Sequence, residues 1–157
     1  MCTAIWYENR FFGRTFDWMV SYGERFVVAP RNYVFRFRHL EGMESHYAIM
    51  GMGLVADGYP LFYEGVNEAG LGMAGLNFPE CAMYHKVNKK KDNVTPFEFI
   101  PYILSVCKSV AEARVMLAKL NIVDESFNDE YGISPLHWII ADDKECITVE
   151  SVRDGLK

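Results

Sequence analysis

Cys2 follows Met1, and removal of that methionine would leave a thiol and a free α-amine on one residue. Such a residue carries both a nucleophile and a base. An α-amine, which ordinarily titrates at about pH 7.7–8, can accept a proton near neutrality without a histidine. Position alone leaves a second reading open, in which Cys2 packs as a small apolar side chain. Other catalytic signatures are missing from the sequence. His39, His46, His85 and His137 stand apart, with neither HExxH nor HxxxH spacing, so no metal site is expected. There is no P-loop, no GxGxxG and no GxSxG elbow, and Gly51-Met52-Gly53 lacks a third glycine and opens no helix. Cys81, Cys107 and Cys146 are scattered without a CxxC pair, which implies reduced thiols rather than a disulfide framework.

These residues must be held by a folded frame, and the composition suits one. The chain has 157 residues, 50% of them hydrophobic and 24% charged, which fits a single globular domain over 1–157 with a real core. A formal charge of −5 argues against nucleic acid or an anionic membrane as partner. No run approaches the roughly 18 apolar residues that span a bilayer, and the first residues lack a basic segment followed by an apolar signal core. The expectation is a cytoplasmic protein without a cofactor.

The first half reads as strands. Residues 3–7, 25–29, 33–37, 47–51, 61–66 and 71–77 are short runs rich in aromatic and β-branched residues, separated by turn-forming stretches. Asn67-Glu68-Ala69-Gly70 has the place of a hairpin loop. At Thr95-Pro96-Phe97-Glu98 a cap, a proline at the first helical position and a glutamate for a capping box predict a helix over 96–107. Ser109-Val110-Ala111-Glu112 opens a second, with Val110, Ala113, Leu117 and Leu120 on its apolar face. Strand texture returns at 136–141 and 146–150 around the polar turn Asp142-Asp143-Lys144-Glu145. Sheet, two helices and more sheet predict an α+β fold whose helices cover one face of an antiparallel sheet. Met50, Met52 and Met73 fall on predicted strands and read as core.

Longer motifs carry a family resemblance. Met1-Cys2-Thr3-Ala4 followed by Phe12-Gly13-Arg14-Thr15-Phe16-Asp17 resembles the opening of the choloylglycine hydrolase (bile salt hydrolase) and penicillin V acylase family. Ala29-Pro30-Arg31-Asn32-Tyr33, Gly51-Met52-Gly53, the stretch from Glu64 to Pro79 and Leu136-His137-Trp138 resemble family segments in the same order. The resemblance implies an N-terminal-nucleophile αββα sandwich of antiparallel sheets. It implies Cys2 as nucleophile and amine base, Arg14 as the cation beside the thiol, and Asp17 as the carboxylate that holds the amine. Asn77 is implied as an oxyanion donor, and asparagine there resembles the bile-salt-cleaving members. The implied substrates are glycine- or taurine-conjugated bile salts, with penicillin V or another acyl amide or lactone as the alternative.

The acyl part of such substrates needs an apolar groove. Phe16, Trp18, Met19, Tyr22, Val55, Tyr59 and Leu61 are its candidates, with ordinary core packing the other reading of each. The resemblance further implies a homotetramer and a longer chain, whose remaining half carries another asparagine and an arginine of the site. The 157 residues alone are then expected to be an incompetent enzyme, or an inactive remnant that binds an apolar ligand or a partner chain.

Overall fold

The computed structural model describes residues 2–8, 10–17 and 19–157. Two strands, β1 (Ala4–Tyr7) and β2 (Phe11–Arg14), form an antiparallel hairpin in which Ala4 faces Arg14 and Trp6 faces Phe12. Then come β3 (Arg25–Ala29), β4 (Ile49–Ala56), β5 (Tyr59–Phe62), β6 (Glu64–Asn67) and β7 (Gly72–Asn77). A short strand, β8 (Asp92–Val94), precedes helices α1 (Pro96–Val106) and α2 (Val110–Leu117). The chain continues with β9 (Leu120–Ile122), β10 (Leu136–Ala141), β11 (Cys146–Val152) and β12 (Gly155–Leu156). The main sheet is antiparallel in the order β12-β11-β10-β7-β6-β4-β3, with β5 also paired to β4, while β8 and β9 pair in parallel.

Alternation along the central strands gives the sheet two apolar faces, because successive side chains point to opposite sides. Met73, Trp138, Ile140 and Val149 meet Phe99, Ile103 and Leu104 of α1 in the larger core. Phe99 sits edge-on to the fully buried Trp138 at 4.6 Å between ring centroids. Ala74, Leu76 and Ile139 point the other way and are covered by Cys2, Ala4 and Phe12. The hairpin thus forms a second layer of sheet, and both helices lie on the opposite side. Farther along that second face Phe26, Val28, Met50, Met52 and Val66 share register positions and remain solvent-exposed. Met50 and Met52 are therefore surface residues rather than core, and only Met73 is buried.

Local chemistry explains the junctions. Thr95 precedes α1 and Glu98 reaches back to accept the Thr95 N–H at 2.9 Å. Asn67, at the end of β6, donates to the carbonyls of Leu104 and Cys107 and accepts from the N–H groups of Ala69 and Leu71. One side chain thereby builds the β6–β7 turn and satisfies carbonyls at the end of α1. A Cβ on Gly51 would stand 2.0 Å from the Glu64 carbonyl oxygen, and one on Gly53 2.4 Å from that of Leu61. Gly51-Met52-Gly53 is a close strand crossing. Two expectations are corrected. Residues 33–37 make no strand, only a bridge between Phe35 and Met43. The second helix stops at Leu117, and Leu120 opens β9.

Candidate active site

The β1–β2 hairpin positions the chemistry. Ala4, Trp6, Phe12 and Arg14 fall on one of its sides by register, and the other side leaves Ile5, Tyr7 and Phe11 exposed. Trp6 Nε1 donates to the Asp142 carbonyl at 2.9 Å, tying the hairpin to the turn between β10 and β11. At its open end the Thr15 N–H donates to the Thr3 carbonyl at 2.8 Å, and the Thr3 N–H donates to Thr15 Oγ1 at 3.1 Å. Thr15 Oγ1 in turn donates to Asp17 Oδ2 at 3.0 Å. The residue after Cys2 is therefore locked to the residue after Arg14, and Asp17 is joined to that lock.

Cys2, Arg14 and Asn77 line one cavity of about 230 Å³. The Cys2 thiol is free and half-buried. Arg14 Nε lies 3.1 Å from Glu64 Oε2, with the arginine side chain only 5% exposed. Neither atom makes a well-directed hydrogen bond, so the contact is essentially Coulombic. Arg14 also donates to the Gly75 carbonyl, and its guanidinium stands 4.9 Å from the centre of the Phe16 ring. Burial pushes the Glu64 carboxyl up, and Arg14 pulls it down by less. Asn77 ends β7 with an exposed side chain and pairs in register with Leu136.

The remaining walls are mostly apolar and aromatic: Leu54, Leu61 and Phe62 from β4 and β5, Tyr63, then Phe97 and Ile100 of α1, and Phe127 and Tyr131 to Leu136, with Glu125, Ser126, Glu130 and Ser134 as polar members. Burial pushes the Tyr63 phenol up to about 12, so it stays a neutral hydroxyl in the wall. Phe16 stacks on Tyr63 with ring centroids 4.8 Å apart.

Of the candidate groove residues, Tyr22 and Leu61 line the cavity, and Phe16 borders it through Arg14 and Tyr63. Tyr59 belongs instead to an aromatic cluster with Phe35, Phe97 and Phe127. Met19 is fully exposed and Val55 is 47% exposed, both away from the cavity lining, and Trp18 lies outside the described residues. Sequence reasoning missed Tyr63, Phe97 and the wall from Glu125 to Leu136. One signal was available: residues 124–135 carry no helix or strand, and loops that long are usually functional. Among the described residues no group of His, Cys, Asp and Glu is placed to hold a metal ion, and no helix is long and apolar enough to cross a membrane.

A hairpin that carries a cysteine beside its first strand, packed over an antiparallel sheet with helices behind it, is the frame of an N-terminal-nucleophile hydrolase. The model of the linear amide C–N hydrolases, choloylglycine hydrolase family, matches residues 2–157, and the chain belongs to that family. It is 46% identical over its whole length to a bile salt hydrolase/transferase of Lactiplantibacillus plantarum, covering 49% of that protein. It is 37% identical to a conjugated bile acid hydrolase of Lactobacillus gasseri, again over the whole chain and 52% of the relative. The C2A variant of conjugated bile acid hydrolase from Clostridium perfringens superposes with a TM-score of 0.87 at 35% identity, over 93% of this chain and 45% of that one. Penicillin V acylase from Agrobacterium tumefaciens shares the fold with a TM-score of 0.70 at 22% identity, over 90% of this chain and 42% of that one. The chain spans about half the length of these relatives.

Proposed function

We propose that this chain supplies the nucleophile and part of the acyl site of an amide hydrolase that cleaves glycine- or taurine-conjugated bile salts. The observation that carries the reading is the shared cavity: Cys2, Arg14 and Asn77 line it together with a mostly apolar and aromatic wall in which Glu125 and Glu130 are the other charged residues. Its volume of about 230 Å³ is below the roughly 300–1,000 Å³ of typical ligand pockets, so it suits one end of a steroid acid.

With Met1 removed, the α-amine of Cys2 takes the thiol proton and the sulfur adds to the amide carbonyl. The Asn77 amide is proposed to donate to the oxyanion, and Arg14 to favour the thiolate. Collapse breaks the C–N bond, and the protonated amine gives its proton to departing glycine or taurine. Water, deprotonated by the same amine, then cleaves the thioester to release the bile acid and restore the thiol. We place the protein in the cytoplasm as a homo-oligomer, a tetramer as the resemblance implies. The exposed strip of Phe26, Val28, Met50, Met52 and Val66 supports burial against further protein.

Purified 157-residue chain assayed with glycocholate, taurocholate and penicillin V tests the reading. Cleavage by the 157-residue chain is expected to fall far below the ordinary range of roughly 1–10³ s⁻¹, whereas a relative of full length assayed beside it reaches that range with the bile salts. A preference for penicillin V in whatever cleavage the chain shows would shift the assignment to acylase. Rates within the ordinary range from homogeneous 157-residue protein would show that the rest of the relatives' length is dispensable.

Asp17 offers a narrower test. If its carboxylate holds the Cys2 amine through the Thr15–Thr3 lock, Asp17→Asn lowers the basicity of the amine. The acid limb of the rate profile then moves to lower pH by about one unit, and the plateau rate falls about tenfold or more, with KM little changed. An unmoved limb returns Asp17 to a surface hydrogen-bonding role.

A further inference from the structure

Residues 125–127 form part of the cavity wall, yet they belong to a segment with no helix or strand of its own. What holds them comes from a distant stretch of chain. Arg38 Nη1 donates to the Ser126 carbonyl at 2.7 Å, and Nη2 donates to the carbonyl of Phe127. The same guanidinium lies 3.6 Å from Glu125 and 5.0 Å above the Phe97 ring, itself part of the cavity wall. His39 Nε2 meets the other Glu125 oxygen at 2.9 Å. The fork is anchored from behind, because the Arg38 N–H donates at 2.8 Å to Glu98, a fully buried carboxyl in the first turn of α1.

A guanidinium can span two successive carbonyls with parallel donors, which a single ammonium cannot do. Here the two carbonyls belong to the residues that present Ser126 and the Phe127 ring to the cavity. Phe127 packs edge-on to Phe97 at 5.1 Å, so releasing the carbonyls also frees an aromatic wall.

We propose that Arg38 is a specificity-determining positioning residue, whose fork fixes the 125–127 wall and thereby the affinity of the site for bulky apolar acyl groups. The acyl class rests on the bile salt reading above; the wall assignment does not. Arg38 touches neither Cys2 nor Asn77 and leaves bond breaking unaltered.

The test compares the native-frame protein with Arg38→Met, which keeps the aliphatic stem, and Arg38→Lys, which keeps the charge and a single donor. Amide hydrogen exchange is followed by mass spectrometry, cholate binding by titration calorimetry, and hydrolysis with glycocholate and N-acetylglycine. In Arg38→Met, exchange over 125–131 accelerates and cholate affinity falls, each by about tenfold, while α1 keeps its protection. KM for glycocholate rises by a similar factor with kcat within about twofold, the signature of lost uniform binding. The rate with N-acetylglycine does not change, and Arg38→Lys lies between the two proteins. Unchanged exchange over 125–131, unchanged cholate affinity, or a fall in kcat with KM unmoved overturns the proposal. If the parent protein cleaves no amide while the variant still loosens the wall and weakens cholate, the bile salt reading fails and the wall assignment stands.

Discussion

Replacing Cys2 by alanine in the native-frame protein is expected to lower amide turnover by at least about 10³-fold, because both steps of the proposed reaction pass through its sulfur. The fold should survive. Cys2 is only half-buried, and its neighbours Ala4 and Phe12 keep their places over Ala74, Leu76 and Ile139. The other cysteines separate cleanly from it. Cys107 is fully buried and burial pushes its thiol up to about 12, and burial also raises the thiol of Cys146. Neither offers much thiolate near neutrality, so Cys107→Ala and Cys146→Ala act through packing alone. Cys81 is exposed but does not line the cavity. Brief iodoacetamide treatment at pH 7 should label Cys2 and Cys81, and only the Cys2 adduct should track loss of activity in peptide mapping. Turnover retained by Cys2→Ala would end the nucleophile assignment, and a bile salt blocking alkylation of Cys2 but not of Cys81 would add to it.

Arg14→Met should produce the next largest effect, and on two observables with opposite remedies. Turnover is expected to fall by at least about a hundredfold, since a buried cation of the cavity lining, the one such cation among the described residues, is lost. Stability at pH 7 should fall by about 1–3 kcal/mol, because Glu64 is left half-buried without its partner. The pH dependence follows from the raised carboxyl. A glutamate that holds its proton more tightly when folded makes the native state the better proton binder between its unfolded and folded pKa values, so stability falls as pH rises through that window. Without Arg14 the carboxyl rises further and the window widens. The part of the Arg14→Met penalty that comes from Glu64 should therefore be large at pH 7 and vanish below about pH 4, where Glu64 is protonated in both states, leaving only the pH-independent loss of the Gly75 and Phe16 contacts. Urea unfolding across pH measures it. Adding Glu64→Gln should recover most of the stability lost at pH 7 and leave turnover low. A penalty independent of pH, or recovery of activity in the double variant, would contradict the electrostatic account.

How legible the site was in the chain varies with how local its causes are. The start of α1 could be read because Thr95, Pro96 and Glu98 cap it with contacts between near neighbours. The hairpin loop at Asn67–Gly70 was readable for the same reason. Residues 33–37 were not, because buried Phe35 and Phe37 alternate with the exposed Val34 and Arg36 as a strand would, yet a strand also needs a partner edge and among the described residues only Met43 provides one. The parallel β8–β9 pair was hidden by its brevity and by Asn93 and Asn121, whose amides bond to each other only once the two segments are side by side. Tyr59 and Leu61 had the same claim to the acyl groove. The fold sends Leu61 to the cavity and Tyr59 into the cluster of Phe35, Phe97 and Phe127, a choice that alternation along one strand cannot make.

By itself the sequence determined the family motifs, the thiol at residue 2, and the order of sheet, helices and sheet, because each depends on residues close together in the chain. The register of β1 and β2 sets Ala4, Trp6, Phe12 and Arg14 on one side of a hairpin. Only the tertiary structure decided what that side faces. It set Arg14 against Glu64 and the Gly75 carbonyl, and it brought residues 125–135 across as a wall under the grip of Arg38. The physical reason is that burial and electrostatic pairing belong to surfaces brought together from distant parts of the chain, and no local pattern records which partner will arrive.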